Sequence, residues 1–180
     1  MNSHISIVEG FHPYVHLPKE VEEKGLIHRI AVIFHTAREE VDYMVFDFPL
    51  FFEFIQTIGQ SLTSEMIEVK DGTKGRHSFR DYIDSQLRIG PEDRFPPKEI
   101  YFYKKSEIQC FLATEFWVYA GGPQPYSDSY TFSIYSKDKL GDLLLEPLKK
   151  IFKGHWSGEL IFGSNDPPKN WWKKLRLKPK

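Results

Sequence analysis

The stretch from Glu107 to Ser136 reads EIQCFLATEFWVYAGGPQPYSDSYTFSIYS, and its pattern decides the fold class. Ile108 to Ala120 and Tyr130 to Tyr135 are rich in aromatic and β-branched residues, the types that suit a pleated, half-buried surface. Between them, Gly121, Gly122, Pro123 and Pro125 interrupt any regular repeat, so two strands flank a loop. Upstream, Glu99 to Lys104 is a further strand, and Lys105-Ser106 turns it into a hairpin with the next. Three consecutive strands joined in this way predict a meander.

Working outward, Leu26 to Phe34 reads as a strand. Ile27, Ala31 and Ile33 fall on one face, with Leu26, His28, Ile30, Val32 and Phe34 on the other, so both faces are expected to be covered in part. Ile5 to Val8 is a short strand, and Tyr43 to Phe48 reads as the second main one. Pro49 opens a helix where its missing N–H is harmless, and Leu50, Phe51, Phe54, Ile55, Ile58 and Leu62 give it an apolar stripe. A brief strand, MIEV, precedes the polar turn DGTKGRHS. Ser78 with Asp81 caps a helix running through Leu87 and ended by Gly90-Pro91. Ser136 caps a last helix carrying Leu140, Leu143, Leu144, Leu148, Ile151 and Phe152, with a break expected at Pro147. HWSGELIFG supplies a final strand. The predicted fold class is α+β: a mostly antiparallel sheet with about three helices packed on it. Residues 1–168 form a single domain, and 169–180 form a basic, Trp-containing tail.

With 180 residues and 41% apolar content, the chain can bury a core without metal or disulfide support. Its single cysteine, Cys110, has no intrachain partner, which points to a reducing compartment. The N-terminal residues lack a secretory pattern, and no apolar run reaches the roughly 18 residues of a membrane span. A cytoplasmic protein without integral membrane association is therefore expected. Net charge is −1, but the tail holds Lys169, Lys173, Lys174, Arg176, Lys178 and Lys180, leaving −7 on residues 1–168. Such a body repels nucleic acid and attracts a basic partner, whereas the tail is suited to a phosphate backbone or an anionic surface.

Chemistry-bearing residues are scattered. Cys110 sits inside a strand, without a neighbouring base or helix N-terminus to generate a thiolate, and reads as structural. His4, His12 and His16 offer three imidazoles, but Pro13 and Pro18 prevent the helical spacing that would converge them. His28 and His35 point to opposite faces of one strand. Glu39, Glu40 and Asp42, like Glu92 and Asp93, read as solvated acids. Gly121-Gly122 is followed by proline, not by a helix and a lysine, so it is no phosphate cradle. No catalytic residue, metal or cofactor is assigned.

The loop AGGPQPYSDSY is different in kind. Its glycines permit positive φ, its prolines reduce unfolded-state freedom, and Tyr126 and Asp128 offer a stacking face and an acceptor. It is either a wide connection folded back on the sheet or a preordered binding surface. The tail NWWKKLRLKPK interleaves Trp171 and Trp172 with basic residues and either docks on the acidic body or meets an anionic partner.

A small acidic-bodied α+β protein with many aromatics, no catalytic signature and the segment FWVYAGGPQPYSDSYTFSIYS resembles the immunity proteins of bacterial polymorphic and contact-dependent toxin systems. The resemblance implies a non-enzymatic protein that neutralises a cognate, often basic, toxin domain by direct binding. Trp117, Tyr126, Asp128 and Tyr130 are the implied contacts. Two other readings stand beside it. One is a small-ligand binder or enzyme whose pocket lies between sheet and helices and gathers His28, His35, Tyr43 or Asp47. The other is a peripheral adaptor that binds an anionic membrane or nucleic acid through its tail.

Overall fold

The computed structural model describes residues 4–11, 17–36, 48–72, 75–90, 93–94, 96–117, 128–155 and 159–164. In chain order the elements are β1 (His4–Phe11), α1 (Lys19–Glu23), β2 (His28–Thr36), α2 (Phe48–Ser61), β3 (Met66–Lys70), β4 (Arg76–Ser78), α3 (Phe79–Gln86), β5 (Glu99–Lys104), β6 (Glu107–Trp117), β7 (Asp128–Ser136), α4 (Gly141–His155) and β8 (Glu159–Ser164). The strands form one eight-stranded sheet in the order β4-β3-β5-β6-β7-β2-β1-β8. Every neighbouring pair is antiparallel except β1 and β8, which run parallel. The α+β class and the mostly antiparallel sheet are as expected. The sheet also holds β4 and a parallel edge strand, and there are four helices among the described residues.

Strand alternation sorts the side chains onto two faces. Ile5, Ile7, Ile30, Val32, Phe34, Val69, Ile100, Phe102, Cys110, Leu112, Phe132 and Ile134 all belong to one buried cluster, completed by α2, α3 and α4. Phe54 and Phe152, from α2 and α4, pack near Phe132 and Phe34, with ring centroids 5.3 to 5.8 Å apart. Among the described residues eight phenylalanines are buried, so much of the aromatic richness serves the core. Gly59 lets α2 lie close to the sheet, because a Cβ there would come within 2.7 Å of Ile67 Cδ1.

The opposite face carries a smaller cluster. Val21 of α1 and Leu26 cover Tyr101, Phe111 and Tyr135. Leu26 thus precedes the strand and serves the face opposite to the one expected from alternation, while Ile27 remains exposed. A five-residue helix is too short to persist alone. Arg76 fastens it by pairing with Glu20, donating to the Tyr103 hydroxyl at 2.7 Å and lying 3.8 Å from the Tyr101 ring centroid.

A bulge reconciles the two clusters. Phe102 pairs with Cys110 but Tyr103 pairs with Ile108, so Gln109 is an extra residue on β6. Ile108 is thereby turned to the smaller cluster, with Cys110 still in the larger one. Gln109 uses its position to donate to Leu62 O at 2.8 Å and to accept from Ser64 Oγ at 3.1 Å.

Several local expectations are corrected. Of the proposed strand Tyr43–Phe48, residues 43–47 lie outside the described residues and Phe48 begins α2. Ser136 does not cap the last helix; its hydroxyl donates to Asp138 O. The helical hydrogen bonds start at Leu140 O, and the Glu9 carboxylate, reaching from β1, accepts from Gly141 N at 3.1 Å. Nor does Pro147 break α4, which is continuous from Gly141 to His155. The carbonyl four residues earlier belongs to Leu143, an exposed position where water can satisfy it. The cap at Ser78 is as read, with its hydroxyl accepting from Asp81 N at 3.1 Å.

Candidate functional site

Pro96 and Pro97 precede β5 and shape the end of the sheet where β6 stops and β7 starts. Neither has an N–H to extend the β5 ladder, so β5 starts only at Glu99, paired with Ala113. Lys98 makes the last link, its carbonyl accepting from Thr114 N at 2.9 Å. Beyond it β6 continues to Trp117, paired with Ser129 of β7, while β7 remains paired with β2 out to Asp128 and Thr36. The last part of β6 therefore has no partner on its β5 side among the described strands. Both arms of the long hairpin outrun the β3–β5 half of the sheet.

Of the four expected contacts, positions 117, 128 and 130 belong to the described strands β6 and β7. Tyr126 lies outside the described residues, as does the rest of the 118–127 connection. Position 130 is in register with Phe116 and Phe34, position 128 with Thr36, and position 117 with Ser129. Alternation places positions 128 and 130 on the sheet face of Phe132 and position 117 on the face of Ala113 and Phe111. The two arms thus bring positions 117 and 130 to the same end but to opposite faces.

On the smaller-cluster face, running from the middle of the sheet away from this end, is a polar strip that the sequence reading did not single out. Arg29 Nε donates to Ser133 Oγ at 2.9 Å, Thr131 and Ser133 are buried, and Glu115 is half-buried on the neighbouring strand. The Tyr135 hydroxyl faces Arg29 and Ser133, yet these bond to each other and leave it without a well-directed partner. Burial raises its pKa; Arg29 and Ser133 oppose the shift, and Glu115 adds to it. The signal was available, since Arg29 interrupts LIHRIAVIF at a position alternating with Ile30 and Val32.

The other candidates fare differently. Cys110 is fully buried, and burial pushes its thiol far above the usual range, so no thiolate is presented. Among the described residues no group of His, Cys, Asp and Glu is arranged to hold a metal ion. His12, His16, Tyr43 and Asp47 lie outside the described residues, as do Glu39, Glu40, Asp42 and Glu92. Positions 28 and 35 of β2 alternate onto opposite faces. The recess beside His28 shares its lining with Glu9, whose carboxylate is engaged at Gly141 N, and it admits no water-sized molecule. Where the sheet meets α2 and α4, the interior is packed with side chains from both. A groove of about 870 Å³ lies on the outer side, between α2 and α4, lined by Glu53, Thr57, Gln60, Lys149, Lys150 and Lys153.

No protein-family model, curated protein or solved structure matches the chain. No helix among the described residues is long and apolar enough to cross a membrane. The basic tail, residues 169–180, lies outside the described residues.

Proposed function

We propose that this is a non-enzymatic binding protein of the immunity type, which neutralises a basic partner domain by presenting the distal end of its β6–β7 hairpin. The observation that carries the reading is the unequal reach of the strands. Because Pro96-Pro97 halts β5, the hairpin arms extend past half of the sheet and carry Trp117, Asp128 and Tyr130, with Tyr126 between them in sequence, to one end. Hairpin arms held in a sheet reduce the ordering cost of association, and aromatic anchors supply most of the energy of typical interfaces. The −7 charge of residues 1–168 favours fast association with a basic surface. A packed sheet–helix interface and an inaccessible Cys110 thiol give the enzyme reading no comparable support.

The test is affinity purification from the source cells with the full chain, a Trp117→Ala/Tyr126→Ala variant and a chain lacking residues 169–180. The reading requires a stoichiometric basic partner that is weakened by salt, kept by the tail deletion and lost by the double variant at unchanged thermal midpoint. Once that partner is purified, Tyr126→Ala alone is expected to weaken it by about 1–3 kcal/mol in a titration. Undiminished affinity of the folded double variant removes the hairpin from the interface. Loss on tail deletion alone, with binding to anionic vesicles or nucleic acid, establishes the adaptor reading instead.

A further inference from the structure

The two edges of the sheet are protected unequally. At one end β4 has only three residues, and Arg76 on it is held by Glu20 and Tyr103. Short, charged edges of this kind discourage pairing with another chain. At the other end β8 has six residues, ELIFGS, and pairs with β1 on one side only among the described strands. It contains neither lysine nor proline, and its single charge is Glu159 at its start. Two large apolar side chains are exposed on it, Ile161 at 41% and Phe162 at 43%. They alternate onto opposite faces, so a strand added at this edge covers both together.

The pattern of β8 is complementary to itself. In an antiparallel pairing about a two-fold axis through Ile161, this residue faces its own copy. Leu160 then faces Phe162 of the other chain, twice, on the helix-covered side. Glu159 meets Gly163, so the only charge has no like charge opposite. Shifting the axis to Phe162 sets Ile161 against Gly163 and loses this match. Leu160 is already packed on the core, and Lys149 of α4 lies 5.6 Å from the Phe162 ring, so both residues are held in place before pairing.

We infer that β8 is a homodimerisation edge, at which a second copy of this chain continues the sheet antiparallel about Ile161. The interface is isologous, with the same six residues contributed by each copy. Such a ladder is smaller than a standard interface of roughly 1,200–2,000 Å², so association belongs to the upper range of protein concentration. The inference is independent of the hairpin reading, since β8 and β6 are separated in the sheet by β1, β2 and β7.

Sedimentation equilibrium of the full chain across a wide concentration series tests it. The weight-average mass is expected to rise from 21.2 kDa towards twice that value. Ile161→Lys and Ile161→Glu each place like charges opposite one another at the axis, and each is expected to abolish the rise. Mixed one to one, the two variants are expected to restore it, because Lys then faces Glu. This rescue separates loss of the edge from loss of the fold, and unchanged circular dichroism supports the same distinction. A wild-type chain that stays monomeric throughout overturns the inference. So does a dimer indifferent to both substitutions, a mixture that stays monomeric, or dimerisation that appears only after residues 165–180 are removed. The last result would assign the edge to the chain's own tail.

Discussion

On the helix-covered side of the sheet, residues from seven strands interlock with α2, α3 and α4, and rings such as Phe34 and Phe132 meet edge to face at 5.6 Å. On the other side, Val21, Leu26, Tyr101, Phe111 and Tyr135 form a cluster of five buried residues under a helix of only five. The first side is held by many apolar contacts. The second depends on a few directed interactions: Arg76 over Tyr101, Arg76 with Glu20, Tyr101 Oη donating to Glu99 at 3.0 Å, and Lys70 with Glu99 at 3.4 Å. Burial, offset in part by Arg76, pushes the Tyr101 hydroxyl up to about 12. Dense packing spreads the consequence of a substitution through its neighbours, whereas a fastened helix can open without disturbing the rest.

That difference is open to direct attack. Phe102→Ala removes a fully buried ring from the larger cluster and is expected to cost about 3–5 kcal/mol in chemical denaturation, with one cooperative transition. A cost under about 1 kcal/mol would show that the larger cluster is not the main source of stability. Arg76→Ala should cost less, about 1–2 kcal/mol, because Arg76 and its partner Glu20 are partly exposed. Its signature is local: hydrogen exchange is expected to accelerate in α1 and to stay unchanged in α2 and α4. Uniform acceleration would mean that the two sides unfold as one unit. Tyr135→Phe is the smallest and sharpest case. The hydroxyl it deletes has no well-directed partner, so the change is expected to stay within about 0.5 kcal/mol. A loss above about 1.5 kcal/mol would assign that hydroxyl a hydrogen bond of full strength.

The strands that carry the candidate site, and the turn at their far end, were readable. Lys105-Ser106 was read as a turn, and both residues have positive φ, at 50° and 60°, as the tightest hairpins require. The reach of the hairpin was less evident, because it depends on where β5 stops. Pro96 and Pro97 were visible, but their effect required knowing that they oppose β6. The strip of Arg29, Ser133 and Glu115 draws on three strands and appears only when they are aligned. The three-residue β4 is too short for any periodicity, and the parallel sense of β8 has no local signature.

The sequence by itself determined the α+β class, most of the strands, the apolar faces of α2, α3 and α4, and the fate of Cys110. These follow from period, capping and composition, which act over a few residues. The tertiary structure alone decided the Glu9 cap on α4, the bulge at Gln109, the continuity of α4 through Pro147 and the unequal sheet edges. The cap, the bulge and the edges depend on partners remote in the chain, Glu9 lying 132 positions from the amide it caps, and α4 passes Pro147 because the carbonyl it frees faces solvent. Local propensities cannot encode which distant backbone will arrive, because that is settled only when the strands and helices bury their apolar faces together.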